Sequence, residues 1–560
     1  MGQDKTVLKL DWKPMRILAA TIAIVTLPHL PTHAQASRDI ELQVGVVQRF
    51  GDNPKETVTL QAGEGDRLQL QFAGGDGSPQ QLQAEKVTLK IDTPPLDEPI
   101  LDERVVLSNH RSFESAEHMA ARWRSLGIET EIAQPDRWQV WAHPDVYDSP
   151  TVRRWLLESL HANGYTQAYL DTQMRDRATQ AYWVVDGYRY NRDELAVSSS
   201  NRIVRVIEGD PQNPDAVFVY GGNLRLQPNT YGDYTLVNLV PLETYLRGVV
   251  PHEIGPNAPY EAAKAQAIIA RTYALRNLRR FAVDNYQLCA DTDCQVYFGL
   301  EHTSNAADRA ISATAGQVLT YDNELVDALY SSTSGGITSP FEDAWEGPPR
   351  PYLIAVVDSV SNAWNLEVNP LDDEANFRRF MSLETGFNEE EWDMFRWRGT
   401  TSLAEMTEFM KRYFRRNDRP INFSEIKEVR ITNRSRSGRV MEMEVQTDSG
   451  IITIPGDEVR NAFYPPISTL FYIDPVYKEK EPEDEDNNTT ENPDREPEKY
   501  LWGYTFVGGG FGHGVGLSQT GASRLAELGW SSDRILQFYY PGTQVQPLNE
   551  AIVFWRDPYR

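Results

Sequence analysis

Glu253 has the neighbours a proton-transferring carboxyl group needs. It closes the run Val240-Pro-Leu-Glu-Thr-Tyr-Leu-Arg-Gly-Val-Val-Pro-His-Glu-Ile254, between apolar Val249-Val250 and Ile254. The run reads as an extended apolar stretch leading into an alanine-lined helix that starts near Pro259. Desolvation at such a place disfavours the carboxylate and raises its pKa. A carboxylic acid that keeps its proton can donate it to the leaving oxygen of a glycosidic bond. The alternative is a structural carboxylate that caps a helix or pairs with Arg271. Glu243, where the strand passes into a helix, and Glu261, in a first helical turn that favours negative charge, read as structural. His252 is either a second titrating group or a surface side chain. His252-Glu253 does not open a zinc-protease motif, because Pro256 stands where the second histidine would be.

Other groups could line a site around such an acid. The glycines at 510, 512, 514 and 516 let backbone approach a ligand closely, with His513 among them to hydrogen-bond a sugar or orient Glu253. Ser518-Gln519 opens a helix that Gly529 closes, and Gln519 could hold an acetamido group. Tyr330-Ser-Ser-Thr-Ser-Gly-Gly336 offers hydroxyls but no nucleophile elbow, so Ser334, Gly335 and Gly336 read as groove lining. Arg271, Gln295 and Ser518 are read as hydrogen-bonding groups for a substrate, and Tyr297 is either a stacking surface for sugar or core. Cys289 and Cys294 are the only cysteines. A C-x4-C pair is a disulfide, two free thiols, or half of a zinc site that needs two more ligands.

The elements that must position these residues divide a chain of 560 residues into several modules. Lys5, Lys9, Lys13 and Arg16, the apolar Ile17–Leu27 and the small-residue site Ala34-Gln-Ala36 make residues 1–36 read as a secretory signal, with an uncleaved anchor as the alternative. No later stretch approaches a membrane span. Residues 37–98 alternate apolar and polar, which predicts a small β-rich module. Residues 103–172 repeat a strand–helix unit twice, with Ser112 and Ser149-Pro150 as helix starts and Gly127 and Gly164 as stops. Trp138, Trp141 and Tyr147 there are either stacking surfaces or core. Strands dominate from about 182, and residues 478–499 form an acidic, proline-rich run expected to be a disordered insertion. The fold class is α+β and multidomain. The net charge of −26 argues against a nucleic-acid partner, which requires a basic surface.

The run ending at Glu253, with Pro259-Tyr-Glu-Ala-Ala-Lys-Ala-Gln-Ala-Ile-Ile-Ala-Arg-Thr-Tyr-Ala-Leu275, Cys289–Tyr297, Tyr330–Gly336, Gly510–Gln519 and Phe538-Tyr-Tyr-Pro-Gly-Thr543, resembles the SpoIID/LytB family in motif order. The resemblance covers roughly residues 185–545 and implies a mixed α/β catalytic region with a substrate groove over 182–557. It implies an enzyme that cuts denuded peptidoglycan glycan strands, with Glu253 as its catalytic glutamate. Such a lytic transglycosylase manages with one carboxyl group, because the sugar's primary hydroxyl attacks its own anomeric carbon and leaves a 1,6-anhydro product. Part of the family was described as amidase enhancers, which makes a non-catalytic partner of a cell-wall amidase the second reading. Residues 103–172 resemble the SPOR domain, which binds stripped glycan. Some members hold zinc through two cysteines and two histidines. Here Asp293 precedes the second cysteine and no histidine stands in the ten residues before Cys289, so catalysis is expected without a cofactor. The implied location is the periplasm or cell wall, with no membrane span after the signal is removed.

Overall fold

Alternating apolar and polar residues commit one face of each short strand to a core. The computed structural model describes residues 40–53, 55–210, 213–417, 419–479 and 498–557. The signal segment (1–36) and residues 480–497 of the acidic run lie outside the described residues. The first strands are β1 (Glu41–Phe50), β2 (Thr57–Ala62), β3 (Leu68–Ala73), β4 (Pro79–Ala84) and β5 (Lys86–Asp92). Next come β6 (Pro95–His110), α1 (Phe113–Ser125), β7 (Thr130–Ala133), β8 (Trp138–Ala142), α2 (Pro150–Ala162) and β9 (Tyr169–Arg177). The chain continues through β10 (Gln180–Val185), β11 (Tyr188–Asn191), β12 (Leu195–Ser199), β13 (Ile203–Asp210), β14 (Asn213–Gly221), β15 (Asn223–Pro228) and β16 (Tyr234–Pro241).

With the short β17 (Leu288–Cys289), these strands form a seven-stranded sheet, β17-β1-β16-β15-β12-β3-β4, and a six-stranded one, β11-β10-β5-β2-β13-β14. Leu42, Leu70 and Leu236 of the first and Leu60, Leu89 and Trp183 of the second share one core. Residues 37–98 are therefore not a module of their own: β1 pairs with β16, and β2 with β13. Period-two runs announce strands but not their partners, and a boundary at 98 cuts through two shared sheets.

The segment from β6 to β9 is an insertion between β5 and β10, which pair with each other from Gln180↔Asp92 onward. It is a βαββαβ unit with strand order β7-β8-β6-β9. Ser112 and Ser149 cap its helices through their hydroxyls, and Gly127 and Gly164 leave them with positive φ. Val105, Leu107, Trp138 and Val140 pack beneath the helices and reach Phe281 of the main body, while Val106 and Trp141 on the opposite sheet face are covered by Tyr231 and Val283. Trp138 and Trp141 are thus core, not exposed stacking surfaces.

The stretch before Glu253 is helical rather than extended. α3 (Leu242–Glu253) buries Leu242, Tyr245, Leu246, Val249 and Val250, a spacing that repeats with the helical period. Gly248 lets it press close, since a β-carbon there would lie 2.6 Å from the Tyr297 ring. Gly255, at φ +93°, ends the helix next to Pro256 and leaves Glu253 on its last turn. α4 (Tyr260–Arg276) is buried on nearly every side, as an alanine-rich helix at the centre of a body must be.

A second insertion lies between the strands Tyr330–Ser331 and Leu517–Ser518, which pair in parallel. It holds two three-stranded sheets and a helix, Leu403–Arg416, that starts with a Ser402–Glu405 capping box. The α+β class predicted from the sequence holds for the whole. Among the described residues no helix is long and apolar enough to cross a membrane.

Candidate functional site

Four elements converge on the Glu253 carboxyl group. α3 ends there. The segment after Cys294 supplies the Val296 N–H, which donates to Oε1 at 2.8 Å. The Leu517–Ser518 strand leads into the helix Gln519–Glu527, whose first side chain donates from Nε2 to Oε2 at 3.4 Å. The parallel strand Tyr330–Ser331 brings the Tyr330 hydroxyl to the same carboxyl group. Gln295 stands behind Tyr330: its amide nitrogen donates to the Tyr330 oxygen at 3.1 Å, and its carbonyl accepts from Tyr245 at 3.3 Å. Burial pushes the Glu253 pKa up, and the Val296, Tyr330 and Gln519 donors pull it part of the way back. The outcome is a raised pKa on a carboxyl group that still faces open space.

That space is a cavity of about 1110 Å³. Its walls come from three bodies: His110 and Arg137 of the first insertion, Glu253 and Cys294 of the main body, and Trp345 and Met441 of the second insertion. The walls are fixed to one another. Glu117 and Glu114 of α1 pair with Arg279 and Arg280, and the Ser115 hydroxyl accepts the Glu346 N–H at 3.1 Å. The Arg137 guanidinium bridges to Glu458 at 2.8 Å. His513 also lines the cavity. Its Nδ1 accepts the Val515 N–H at 3.0 Å, leaving Nε2 to carry the ring proton, and its ring lies 4.9 Å from Trp345.

The remaining residues read from the sequence lie elsewhere. Arg271 is completely buried and grips Glu243 through two bonds of 2.8 and 2.7 Å, far from a groove role and with no bond to Glu253. Tyr297 is core, its hydroxyl donating to Asn238 at 2.8 Å. Ser334, Gly335, Gly336 and Ser518 do not line the cavity but sit behind it. The N–H groups of Ser334 and Gly336 donate to the two oxygens of Glu389 at 2.6 and 2.7 Å, and the Ser518 hydroxyl donates to the same carboxylate. Gly335 needs its glycine: at φ +76°, a β-carbon would lie 2.7 Å from the Gly510 nitrogen. His252 turns its Nδ1 to the Gly248 carbonyl at 2.8 Å and its ring to Phe298.

Cys289 and Cys294 form a disulfide with Cα atoms 5.6 Å apart. With both thiols joined, and no group of three or more histidine, cysteine or carboxylate side chains placed to hold a metal among the described residues, the donor set does not fit a zinc ion.

Sequence reasoning missed Tyr330, Trp345 and Glu389. Tyr330 stood in a quoted motif, but nothing there says which way a side chain points. Glu389 lies in Asn388-Glu-Glu-Glu391, which reads as a solvated acidic run.

Residues 230–321 match the family model described as stage II sporulation protein, and residues 339–516 match a domain of unknown function. The chain is 25% identical over 415 residues to the amidase enhancer of Bacillus subtilis (strain 168), covering 67% of this chain and 52% of that protein. It is 26% identical over 329 residues to stage II sporulation protein D of the same organism, covering 55% of this chain and 75% of that protein. An uncharacterized protein of Brachyspira hyodysenteriae (strain ATCC 49526 / WA1) is 26% identical over 341 residues, covering 59% of this chain and 73% of that protein. The match thus spans about half the length of the amidase enhancer.

Proposed function

We propose that the chain, whose residues 230–321 match the stage II sporulation protein family model, is an exported lytic transglycosylase of peptidoglycan glycan strands of the SpoIID/LytB type. The observation that carries this reading is the Glu253 carboxyl group, raised in pKa by burial and facing a cavity of about 1110 Å³. In its protonated form Glu253 gives its proton to the oxygen linking a muramyl sugar to the next residue, and the C1–O bond breaks. The muramyl C6 hydroxyl then bonds to C1, and the Glu253 carboxylate takes the proton that hydroxyl loses. The carboxyl group returns to its starting state with no water consumed. Tyr330 and Gln519 steady it through both steps, and the Val296 N–H keeps one oxygen aligned.

The βαββαβ insertion acts here as a fixed wall that holds stripped glycan against Glu253, rather than as a tethered binding module. The chemistry needs no metal, so chelator leaves the rate unchanged. Export follows from a substrate outside the cytoplasm and from the signal-like residues 1–36.

The test is digestion of purified denuded glycan with mass spectrometry of the new ends. The wild-type chain releases 1,6-anhydro ends. Glu253→Gln keeps the shape, removes the acid and lowers turnover by about 10²–10⁴-fold, the usual worth of general acid–base catalysis, while glycan binding persists. Wild-type turnover by Glu253→Gln ends this reading.

The relative named amidase enhancer supports a second reading, in which the cavity holds glycan and presents it to a cell-wall amidase. In that case no anhydro ends form, and stimulation of peptide release by an added amidase is the same with Glu253→Gln as with the wild type.

A further inference from the structure

The segment at 339–516 has no assigned role, yet it grips the site from behind. The two strands that bring Tyr330 and Gln519 to Glu253 run side by side, Tyr330 opposite Leu517 and Ser331 opposite Ser518. The Ser332 carbonyl accepts from the N–H and hydroxyl of Thr520, which extends the pairing. Beyond that point the strands end, and their last groups turn inward to side chains of the insertion.

Glu389 is fully buried. It takes the N–H groups of Ser334 and Gly336, in the loop that follows Tyr330–Ser331, and the hydroxyl of Ser518 in the other strand, and it is also hydrogen-bonded with Asp358. Two arginines of the same insertion hold the carbonyls of the same loop. Arg439 donates to Ser334 and Ile337 at 2.8 and 2.9 Å, and Arg396 to Gly335 at 2.9 Å. The Ser518 hydroxyl in turn accepts the Gly521 N–H at 3.1 Å, capping the helix whose first residue is Gln519. Several hydrogen bonds converging on one buried carboxyl group polarise one another, and in a low-dielectric interior they hold geometry firmly.

We propose that Glu389 is a positioning residue, supplied by the insertion to fix the Tyr330 and Gln519 strands against each other and so set how both donors meet Glu253. It touches neither substrate nor Glu253. The inference deepens the lytic transglycosylase reading and rests on it for its effect on rate, although the clamp itself exists whether or not the chain cuts glycan. The insertion on this view completes the catalytic apparatus rather than decorating it.

The experiment uses the full chain. Glu389→Gln keeps the volume and one strong acceptor but cannot receive the Ser334, Gly336 and Ser518 donors together as two carboxyl oxygens do. Turnover of denuded glycan falls about 10–100-fold, the scale for a catalytic group displaced by about an ångström, while KM stays within about twofold, as when only transition-state interactions are lost. In a background of Tyr330→Phe with Gln519→Ala the same change costs less than about threefold, because residues acting through one another are not additive. Full multiplication of the two losses, or wild-type turnover by Glu389→Gln, overturns the proposal. Hydrogen exchange gives a readout free of activity: amides in 330–336 and 517–521 exchange at least about tenfold faster in Glu389→Gln while the β-sheets keep their protection. Unchanged exchange there overturns the clamp even if the wild type makes no anhydro ends, and absence of those ends alone counts only against the transglycosylase reading. Should Glu389→Gln fail to fold, Ser518→Gly removes one donor while leaving a residue tolerated at a helix start. It shows the same pattern at smaller amplitude, and wild-type turnover and exchange in it refute the proposal.

Discussion

At Glu253, burial and hydrogen bonding act on the proton in opposite directions. Burial favours the neutral acid, whereas the donors from Val296, Tyr330 and Gln519 favour the carboxylate. As general acid the group works when protonated, so activity falls as pH rises through its raised pKa. Gln519→Leu removes a donor to the charged form, raising the pKa further and moving that alkaline fall to higher pH. A profile of kcat/KM against pH checks this, and a shift to lower pH would assign the titration to another group. The meeting of Glu253, Gln519 and His513 was legible because their motifs carry it: Glu253 and His513 line the cavity and Gln519 bonds to Glu253. Arg271 and Ser334 lie in packed interior and not in the groove, and Tyr297 takes the core place that its sequence left open, because sequence gives a residue's type but not its direction.

Among the elements, α3 shows both what the sequence carries and how it misleads. Its apolar residues at 242, 245, 246, 249 and 250 have helical spacing, yet Pro241 and Pro251 and the valine pair suggest an extended run. Tertiary packing against Tyr297 and α4 decides for the helix. The Glu243–Arg271 pair ties α3 to α4, and it is the kind of buried contact whose half-removal is costly. Glu243→Ala strands the Arg271 charge and is expected to lower stability by on the order of 3 kcal/mol, read as a drop in the urea midpoint. Since neither residue reaches the cavity, turnover of the folded fraction stays near wild type. Helix starts and stops at Ser112, Ser149, Ser518 and Gly529 were readable throughout, because caps are local chemistry. Strand partners were not, because pairing joins residues far apart in sequence.

Over the whole molecule, stability is linked to pH through a buried pair. Asp358 lies fully buried, hydrogen-bonded by Tyr539 and Asn388, and burial and then the neighbouring Glu389 push its pKa well above the usual range. The folded chain therefore keeps a proton that the unfolded chain releases above about pH 4. This contribution to stability is complete below that pH and declines as pH rises toward the folded value. Asp358→Asn, neutral at every pH, is expected to flatten the decline, measured as urea midpoints from pH 5 to pH 9. The first insertion gives a second prediction at this scale. Cut out as residues 95–177, it loses Tyr231, Val283 and Phe281 from its two buried faces. It is expected to bind a hydrophobic dye and to unfold without cooperativity, and a sharp transition with no dye binding would show that it folds alone. The repeated strand–helix pattern was visible in the sequence, but its two covered faces were not, because Trp138 and Trp141 have the same composition in a core as on a platform.

Both insertions leave and rejoin the body at strands that are already paired with each other, β5 with β10 and Tyr330–Ser331 with Leu517–Ser518. At the first, antiparallel junction the points of departure and return are about 5 Å apart, close enough for a short turn to bridge, whereas the parallel strands of the second need a longer crossover. The host can therefore lose or exchange the first inserted body while its own ladders stay closed, and can exchange the second only for another crossover. The two junctions are unequal in consequence. Exchange at the first would change the breadth of the cleft and leave the Glu253 carboxyl group and its donors in place. Exchange at the second would take Glu389 with it. The first junction is therefore the place to graft a foreign wall and retune which polymers are admitted, with the reacting carboxyl group left as a constant.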